Sequence, residues 1–325
     1  MRPLYNFDEI LGYVNKDIEK ISYDYSPKTL FDPISYILSL GGKRVRPALV
    51  LMAYNLYGED LQKAVPAALA VELFHNFTLL HDDLMDRADM RRGKPTVHIK
   101  WSDNSAILSG DAMLIEAYKE LCQLDSKYLV ECLDVFSTTA TEICCGQQFD
   151  MEFEKRLDVT INEYLEMIRL KTAVLLGGAL KMGAIIGGAS KEDVDHLYKF
   201  GNYIGLAFQL MDDLLDVYGN SENFGKRIGG DILCNKKTFL LISALNDSRE
   251  NDNLLHWINK KEYQEKEKIE AVTEIYNQLR IKEKTEEKVK EYYQKAIEML
   301  DRVQADTDRK KELYVLAKQL NVRNT

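Results

Sequence analysis

An all-α chain is what this sequence predicts, on three observations. Only six prolines occur in 325 residues, no alternating strand pattern is bounded by turn pairs, and two long segments read as continuous helix. The first of these, "AVPAALAVELFHNFTLLHDDLMD" (64–86), is rich in Ala and Leu and carries Pro66 near its first turn, where a missing N–H goes unfelt. The second, "HLYKFGNYIGLAFQLMDDLLDVYG" (196–219), is apolar on most sides, which predicts burial, with Gly219 as its stop. The stretches 111–124, 127–150, 162–186 and 236–247 predict further helices, many apolar enough for a bundle interior. From 259 to 300 the chain turns charged, with apolar positions at helical spacing, as amphipathic helices on the outside of the same bundle require. No Ser/Gly-rich linker interrupts the sequence, so one domain over 1–325 is expected, although length alone also admits two.

Composition narrows the function classes. Hydrophobic residues at 46% and charged residues at 29% are ordinary for a soluble globular protein, and no uninterrupted apolar run is long enough to span a bilayer. An integral membrane protein is not expected. The opening "MRPLYNFDEI" lacks a signal-peptide core, and the five cysteines (Cys122, Cys132, Cys144, Cys145, Cys234) show neither metal spacing nor disulfide density, so reduced thiols in a cytoplasmic protein are expected. A net charge of −9 argues against a general nucleic-acid binder. The basic residues gather locally, as "GGKRVRP" (41–47), "RRGKP" (91–95) and "GKRIGG" (225–230).

One phrase is written twice: "LHDDLMD" at 80–86 and "LMDDLLD" at 210–216. On a helix, residues four apart share a face, so Asp82 with Asp86 and Asp212 with Asp216 form carboxylate pairs, while Asp83 and Asp213 point aside. Such pairs repel unless a cation lies between them, and oxygen-only ligation suits Mg²⁺, which completes its octahedron with water and phosphate oxygens. A single acidic triplet is most often a solvated helix end; two matching clusters, each closing an apolar helix, are not so easily explained that way. Neither has the spaced oxygens of a Ca²⁺ loop nor the glycine-rich turn of a P-loop. His75 lies two turns before Asp82 on the same face, and Gln209 three residues before Asp212.

The basic groups supply the counterpart. Arg91 and Arg92 follow the first cluster in a Gly/Pro-bounded loop and can each clamp a phosphate. Lys43, Arg44 and Arg46 follow Gly41 and Gly42, which allow close backbone approach, and Pro47 can open a helix. Two metal-binding walls would hold one diphosphate and a separate basic set a second, which describes a two-substrate site.

These motifs, "GGKRVRP", "LLHDDLMDRADMRRGKPT", "GQQFD" (146–150), "KTA" (171–173), "FQLMDDLLD" and "GKRIGGDILCNKKT" (225–238), in this order, resemble those of the trans-isoprenyl diphosphate synthases, the polyprenyl synthetase family. The resemblance spans 41–238 and leaves the tail after about 245 without a signature. It implies the isoprenoid synthase fold, an all-α bundle around a deep central cavity, a homodimer, and Mg²⁺ bridging both aspartate motifs. Carried over by position, Asp82, Asp86 and Asp212 are metal ligands, with Asp83 and Asp216 as supports or water-mediated ligands. Arg91, Lys171, Thr172, Gln209, Lys226 and Lys236 surround an allylic diphosphate, while Lys43, Arg46, His75 and Arg92 hold isopentenyl diphosphate. The roles of Arg44, and of Arg227 where a neutral residue often sits, stay open. Bulky residues before the first motif set product length in this family. Here Phe74, Phe77 and Thr78 imply a floor of medium depth and a C15 or C20 product, with a longer-chain synthase as the alternative. A catalytically silent subunit of a heteromeric synthase usually lacks one of these positions, and all are filled here. A cyclising or hydrolysing relative is disfavoured by the intact basic pocket. An acidic scaffold that merely binds cations would tolerate loss of Asp82.

Overall fold

The computed structural model describes residues 5–21, 23–219, 228–247 and 251–321. In chain order its helices are α1 (Phe7–Lys20), α2 (Lys28–Ser39), α3 (Val45–Asn55), α4 (Val65–Met85), α5 (Val97–Lys100), α6 (Asp103–Leu121), α7 (Ser126–Phe153), α8 (Ile161–Ile168), α9 (Val174–Gly187) and α10 (Lys191–Tyr218). There follow α11 (Gly230–Leu233), α12 (Phe239–Leu245), α13 (Asn251–Asn259), α14 (Glu265–Gln278), α15 (Ile281–Arg302) and α16 (Thr307–Asn321). Among the described residues, the strands are the two-residue β1 (Met90–Arg91) and β2 (Lys94–Pro95). The fold class is therefore all-α.

Local chemistry sets the boundaries. Asn6 and Glu9 close a capping box at α1, and Thr160 and Glu163 a second at α8, each pair satisfying N–H groups that a helix start leaves bare. Ser102 caps α6 by accepting the Ser105 N–H at 3.1 Å, which is why that helix begins eight residues before the apolar stretch expected at 111. α4 occupies 65–85 as its composition predicts, with Pro66 in the first turn. The helix expected over 162–186 is interrupted by a π-helical turn, Arg169–Ala173. The 91–95 loop is a small antiparallel hairpin, with Met90 opposite Pro95 and Arg91 opposite Lys94. Its turn residues Arg92 and Gly93 have φ of 51° and 73°, the left-handed pair that a two-residue hairpin demands.

The chain forms two compact units. The first comprises Met1–Thr138, Gly178–Tyr198 and Val303–Glu312. Within it α4 packs against α6 and α3, and Ala67, Ala70, Val71, Leu73 and Phe74 are buried from every side. The second comprises Thr139–Gly177, Lys199–Arg302 and Leu313–Thr325. Its core joins Tyr164, Met167 and Ile168 to Leu206, Leu210 and Phe239, with a neighbouring cluster of Leu214, Leu240, Leu254, Val272 and Tyr276. One stretch, Ile161–Gly187, is apolar and long enough to cross a membrane on average, although Arg169, Lys171 and Lys181 interrupt it. Its most apolar window is 78% buried in protein, as befits a core helix.

Candidate active site

In the first unit, α4 ends at the aspartate cluster and the hairpin returns directly onto it. Arg91 donates from Nε and Nη2 to the two carboxylate oxygens of Asp83, both at 2.7 Å. Asp83 is buried, so the bidentate pair is shielded and geometrically fixed. Asp82 is half-buried and Asp86, the residue that ends α4, is exposed one turn further on.

Arg92, on the tip of the same turn, lies over Gly42. A Cβ built on Gly42 would stand 2.8 Å from Arg92 Nη2, and the Gly42 φ of 146° disfavours any side chain there. Arg46 donates to His75 Nε2 at 3.3 Å, so that nitrogen accepts and the imidazole is neutral. Burial, then the guanidinium groups of Arg46, Arg92, Arg91 and Arg44, hold the His75 pKa well below its ordinary value. Burial also lowers Arg46 to about 10, with Arg92 adding to the shift and Glu72 opposing it. Arg92 is lowered too, first by burial and then by Arg44 and Arg91. Lys43 stands exposed on the loop that carries Gly42. The four residues expected to hold isopentenyl diphosphate thus lie on the first unit, three of them within one positive patch that an anion would stabilise.

Arg44, whose role the sequence leaves open, is buried in the left-handed conformation (φ 46°). It pairs with the buried Glu72 and donates to the Leu38 carbonyl at 2.7 Å, while Glu72 also accepts from Asn76 at 2.7 Å. Its charge is thereby spent on bracing the loop, and the loop aims Arg46. Below the cluster on α4, Phe74 and Phe77 are buried with ring centroids 5.4 Å apart, and Phe74 packs edge-on against Phe136 at 5.3 Å. Thr78 donates to the His75 carbonyl at 2.8 Å.

In the second unit, the other aspartate cluster closes α10. Asp213 is buried and accepts from both the Tyr164 hydroxyl and Gln209 Nε2, the latter at 3.0 Å. Burial raises its pKa above the usual carboxylate range against the opposing pull of Lys236. Gln209 Oε1 in turn accepts from Thr172 at 3.2 Å, which orients the amide. Asp216 is buried and accepts the Asp231 N–H at 2.9 Å, tying the start of α11 to α10. Lys171 pairs with Asp150 at 2.6 Å. Lys171 and Thr172 both sit on the π-helical turn, whose backbone runs against Gly146; a Cβ there would collide with the Lys171 N and the Leu170 carbonyl carbon. Burial opposes the charge of Lys236, but the carboxylates of Asp231, Asp213, Asp150 and Asp212 outweigh it and hold the ammonium above the ordinary lysine range. Lys226 and Arg227 lie outside the described residues.

The donor set of this unit fits a hard cation. Asp150, Asp212, Asp213, Asp216 and Asp231 outnumber Lys171 and Lys236, and every acidic donor is an oxygen. Among the described residues, no three His, Cys, Asp or Glu side chains form a metal cage on their own. A cation held here would need further ligands, which hard cations such as Mg²⁺ draw from water and phosphate oxygens.

A family model of the polyprenyl synthetases matches residues 27–278. The chain belongs to that family. As a member it is an enzyme, a transferase of prenyl groups. A geranylgeranyl diphosphate synthase of Methanosarcina mazei is 44% identical to this synthase over 235 residues, 72% of either chain. A crystal structure of a geranylgeranyl pyrophosphate synthase superposes with a TM-score of 0.94 at 44% identity, covering 99% of this chain and 100% of the other. The corresponding synthetase of Pyrococcus horikoshii gives 0.91 at 33% identity, covering 98% of each. The fold is that of the solved prenyl synthases. Sequence reasoning passed over Tyr164, Glu72 and the π-helical turn of this synthase. Tyr164 stands seven residues before Lys171, close to two turns, and that spacing is the one signal that could have raised it.

Proposed function

We propose that this synthase condenses isopentenyl diphosphate with an allylic diphosphate, by ionisation, condensation and elimination, to give a C15 or C20 prenyl diphosphate. The observation that carries the reading is the division of charge: a carboxylate-rich set around Asp212 in one unit, and in the other a patch in which Arg46 and Arg92 surround a neutral imidazole. The first suits a diphosphate that arrives with metal, the second a diphosphate that does not.

In this reading Asp82, Asp86 and Asp212 hold Mg²⁺. When bound, the metal supplies positive charge that stabilises a departing diphosphate. Lys171, Lys236 and Arg91 add fixed positive charge around the allylic diphosphate, and Gln209, oriented by Thr172 and Asp213, offers it an amide N–H. Lys226 is assigned the same role from its motif. Lys43, Arg46, His75 and Arg92 grip the diphosphate of isopentenyl diphosphate, which keeps its double bond beside the allylic carbon and spares the entropy of encounter. His75 takes part as a neutral donor or acceptor, since its charge is suppressed. No side chain need form a covalent intermediate. The proton lost at the end goes to the departed diphosphate.

Phe74 and Phe77 supply the floor for the growing chain. The geranylgeranyl names of the similar proteins support the C20 end of the range. The reading takes residues 1–325 as one catalytic domain and the enzyme as a cytoplasmic homodimer. The exposed apolar residues Ile99, Ile107, Leu108, Ile115 and Val130 support the dimer. The test is incubation with Mg²⁺, isopentenyl diphosphate and each of the C5, C10 and C15 allylic diphosphates, followed by product sizing, with Asp82→Ala and Asp212→Ala in parallel. Mg²⁺-dependent product from the parent, and loss of at least about 100-fold in each variant, is expected. No product from any pair would overturn the proposal.

A further inference from the structure

Lys268 is a lysine in the wrong place for its helix. It belongs to α14, one of the charged outer helices that follow the last sequence motif, yet it is only 1% exposed. A lysine is almost never fully buried unless its ammonium has partners, and here both hydrogen-bond acceptors lie at the end of α11 and just after it. Its Nζ donates to Asn235 Oδ1 at 2.8 Å and to the Leu233 carbonyl at 3.4 Å, and it lies 4.5 Å from the centroid of the Tyr263 ring. Tyr263 also reaches the Leu233 carbonyl, at 3.4 Å.

Asn235 is the residue before Lys236 and has a φ of 51°. Every polar group of Asn235 is tied down. Its side-chain amide donates to the Ile258 carbonyl at 3.3 Å, and its own carbonyl accepts from the ammonium of the buried Lys237 at 3.1 Å. Its backbone N–H donates to the Ile232 carbonyl at 3.2 Å, and the next N–H, of Lys236, to the Asp231 carbonyl at 2.9 Å. These bonds turn the chain back on α11 so that Lys236 Nζ stands 3.7 Å from Asp231 Oδ1. Asp231 is the residue whose N–H holds Asp216.

We propose that Lys268 is a positioning residue for the allylic diphosphate site: it holds Asn235 in the left-handed conformation and through it sets the direction of Lys236. The proposal rests on the reading that Lys236 grips the allylic diphosphate. Three features mark the arrangement as more than packing. A buried ammonium is expensive to desolvate, and an apolar side chain of similar length would fill the same volume without that cost. Its strongest acceptor is a side-chain oxygen on a residue held at positive φ, a minority conformation that needs pinning. And that residue adjoins Lys236, whose ammonium stands 3.7 Å from Asp231, so a rotation of the loop would move the ammonium relative to that carboxylate and to any ligand it grips.

The experiment compares Lys268→Met, which keeps length and loses the ammonium, with Lys268→Arg, Asn235→Gly and the Lys268→Met/Asn235→Gly double variant. Glycine at 235 accepts the positive φ while removing the acceptor, so it carries the test even if Lys268→Met folds poorly. For each, KM is measured for both substrates, together with calorimetric affinity for a thiolodiphosphate analogue of the allylic substrate, which resists ionisation. Lys268→Met and Asn235→Gly should each weaken the allylic ligand by roughly 10-fold and leave the KM for isopentenyl diphosphate within about 2-fold, with the double variant no worse than the poorer single, since misplacement acts once. Lys268→Arg should recover part of the loss. Equal changes for both substrates, or effects that multiply in the double variant, would mark Lys268 as merely structural and overturn the proposal. Lys236→Ala separates this from the underlying reading. If it weakens the allylic ligand and Lys268→Met does not, the positioning role fails alone; if it has no effect, the gripping role of Lys236 fails and the positioning role falls with it.

Discussion

At the scale of single residues, charge is arranged by what each group is denied. Asp83 is denied a ligand by Arg91, Asp213 by Tyr164 and Gln209, and Arg44 by Glu72. In the proposed reading the neighbours of these residues, Asp82, Asp86, Asp212, Arg46 and Arg92, are the ones that meet metal and substrate. His75 shows how the patch constrains protonation. Its folded-state pKa is depressed, so above an unfolded value of about 6.5 neither state binds the proton and stability is unaffected. Below that value the unfolded chain takes up a proton that the folded imidazole refuses, and stability falls as pH falls toward the folded pKa. For one proton the slope is at most about 1.4 kcal/mol per pH unit. His75→Gln, which keeps an acceptor for Arg46 but cannot titrate, should remove this part of the acid sensitivity. Denaturant titrations at pH 7.5 and 5.5 should show the stability difference between parent and variant moving in the variant's favour at the lower pH. A difference independent of pH would mean that His75 titrates normally in the folded protein.

At the scale of elements, the helices were legible and their defects were not. The α4 and α10 segments announced themselves by length and apolar continuity, because burial on most sides leaves little polar signal to misread. The π-helical turn at Arg169–Ala173 could not be read, since the helix after it, "VLLGGALKMGAIIG", is apolar on nearly every side and hides the change of phase that one extra residue brings. Its only trace lies elsewhere, in the glycine of "GQQFD". Gly146 leaves room for the widened backbone, so Gly146→Ala should force the turn to shift and cost roughly 1–3 kcal/mol, visible as a lowered Tm. Because Lys171 and Thr172 ride on that turn, the allylic KM should rise more than the KM for isopentenyl diphosphate. Equal effects on both would sever the turn from the allylic site. The hairpin at 90–95 was missed for the opposite reason: two-residue strands are too short to alternate, and an Arg-Gly turn is not among the common primed-turn pairs. The proposed floor belongs to this scale too. Phe77 lies five residues before Asp82, about 7.5 Å along the helix, and Phe74 about 12 Å, each rise being about 1.5 Å. Phe77→Ala should therefore lengthen the product, while Phe74, held against Phe136, still limits it. An unchanged product length in a radiolabelled assay would remove Phe77 from the floor.

At the scale of the whole molecule, one face remains to be accounted for. On α6 and its flanks Ile99, Ile107, Leu108 and Ile115 are 53%, 43%, 59% and 61% exposed, and Val130 at the start of α7 is 78% exposed. Single exposed apolar residues are ordinary, but Ile107, Leu108 and Ile115 recur at a spacing of seven to eight, which sets them on one stripe of the same helix. The opposite side of α6, with Ala106, Ser109, Gly110, Met113 and Ala117, is already buried against the first unit. The stripe is exposed among the described residues, and a second copy of the chain presenting the same stripe would cover both by two-fold symmetry. Fully burying one such side chain is worth about 1.5–3 kcal/mol, so four or five on each copy sustain a stable pair once the cost of association is met. Light scattering behind size exclusion should thus return about twice the chain mass of 37.4 kDa for the parent protein. Leu108→Asp combined with Ile115→Asp places four carboxylates in the shared stripe and should return the mass of a single chain, with little change in far-ultraviolet circular dichroism, since both positions are exposed within the monomer. A double variant that keeps the doubled mass would show that the dimer uses another face.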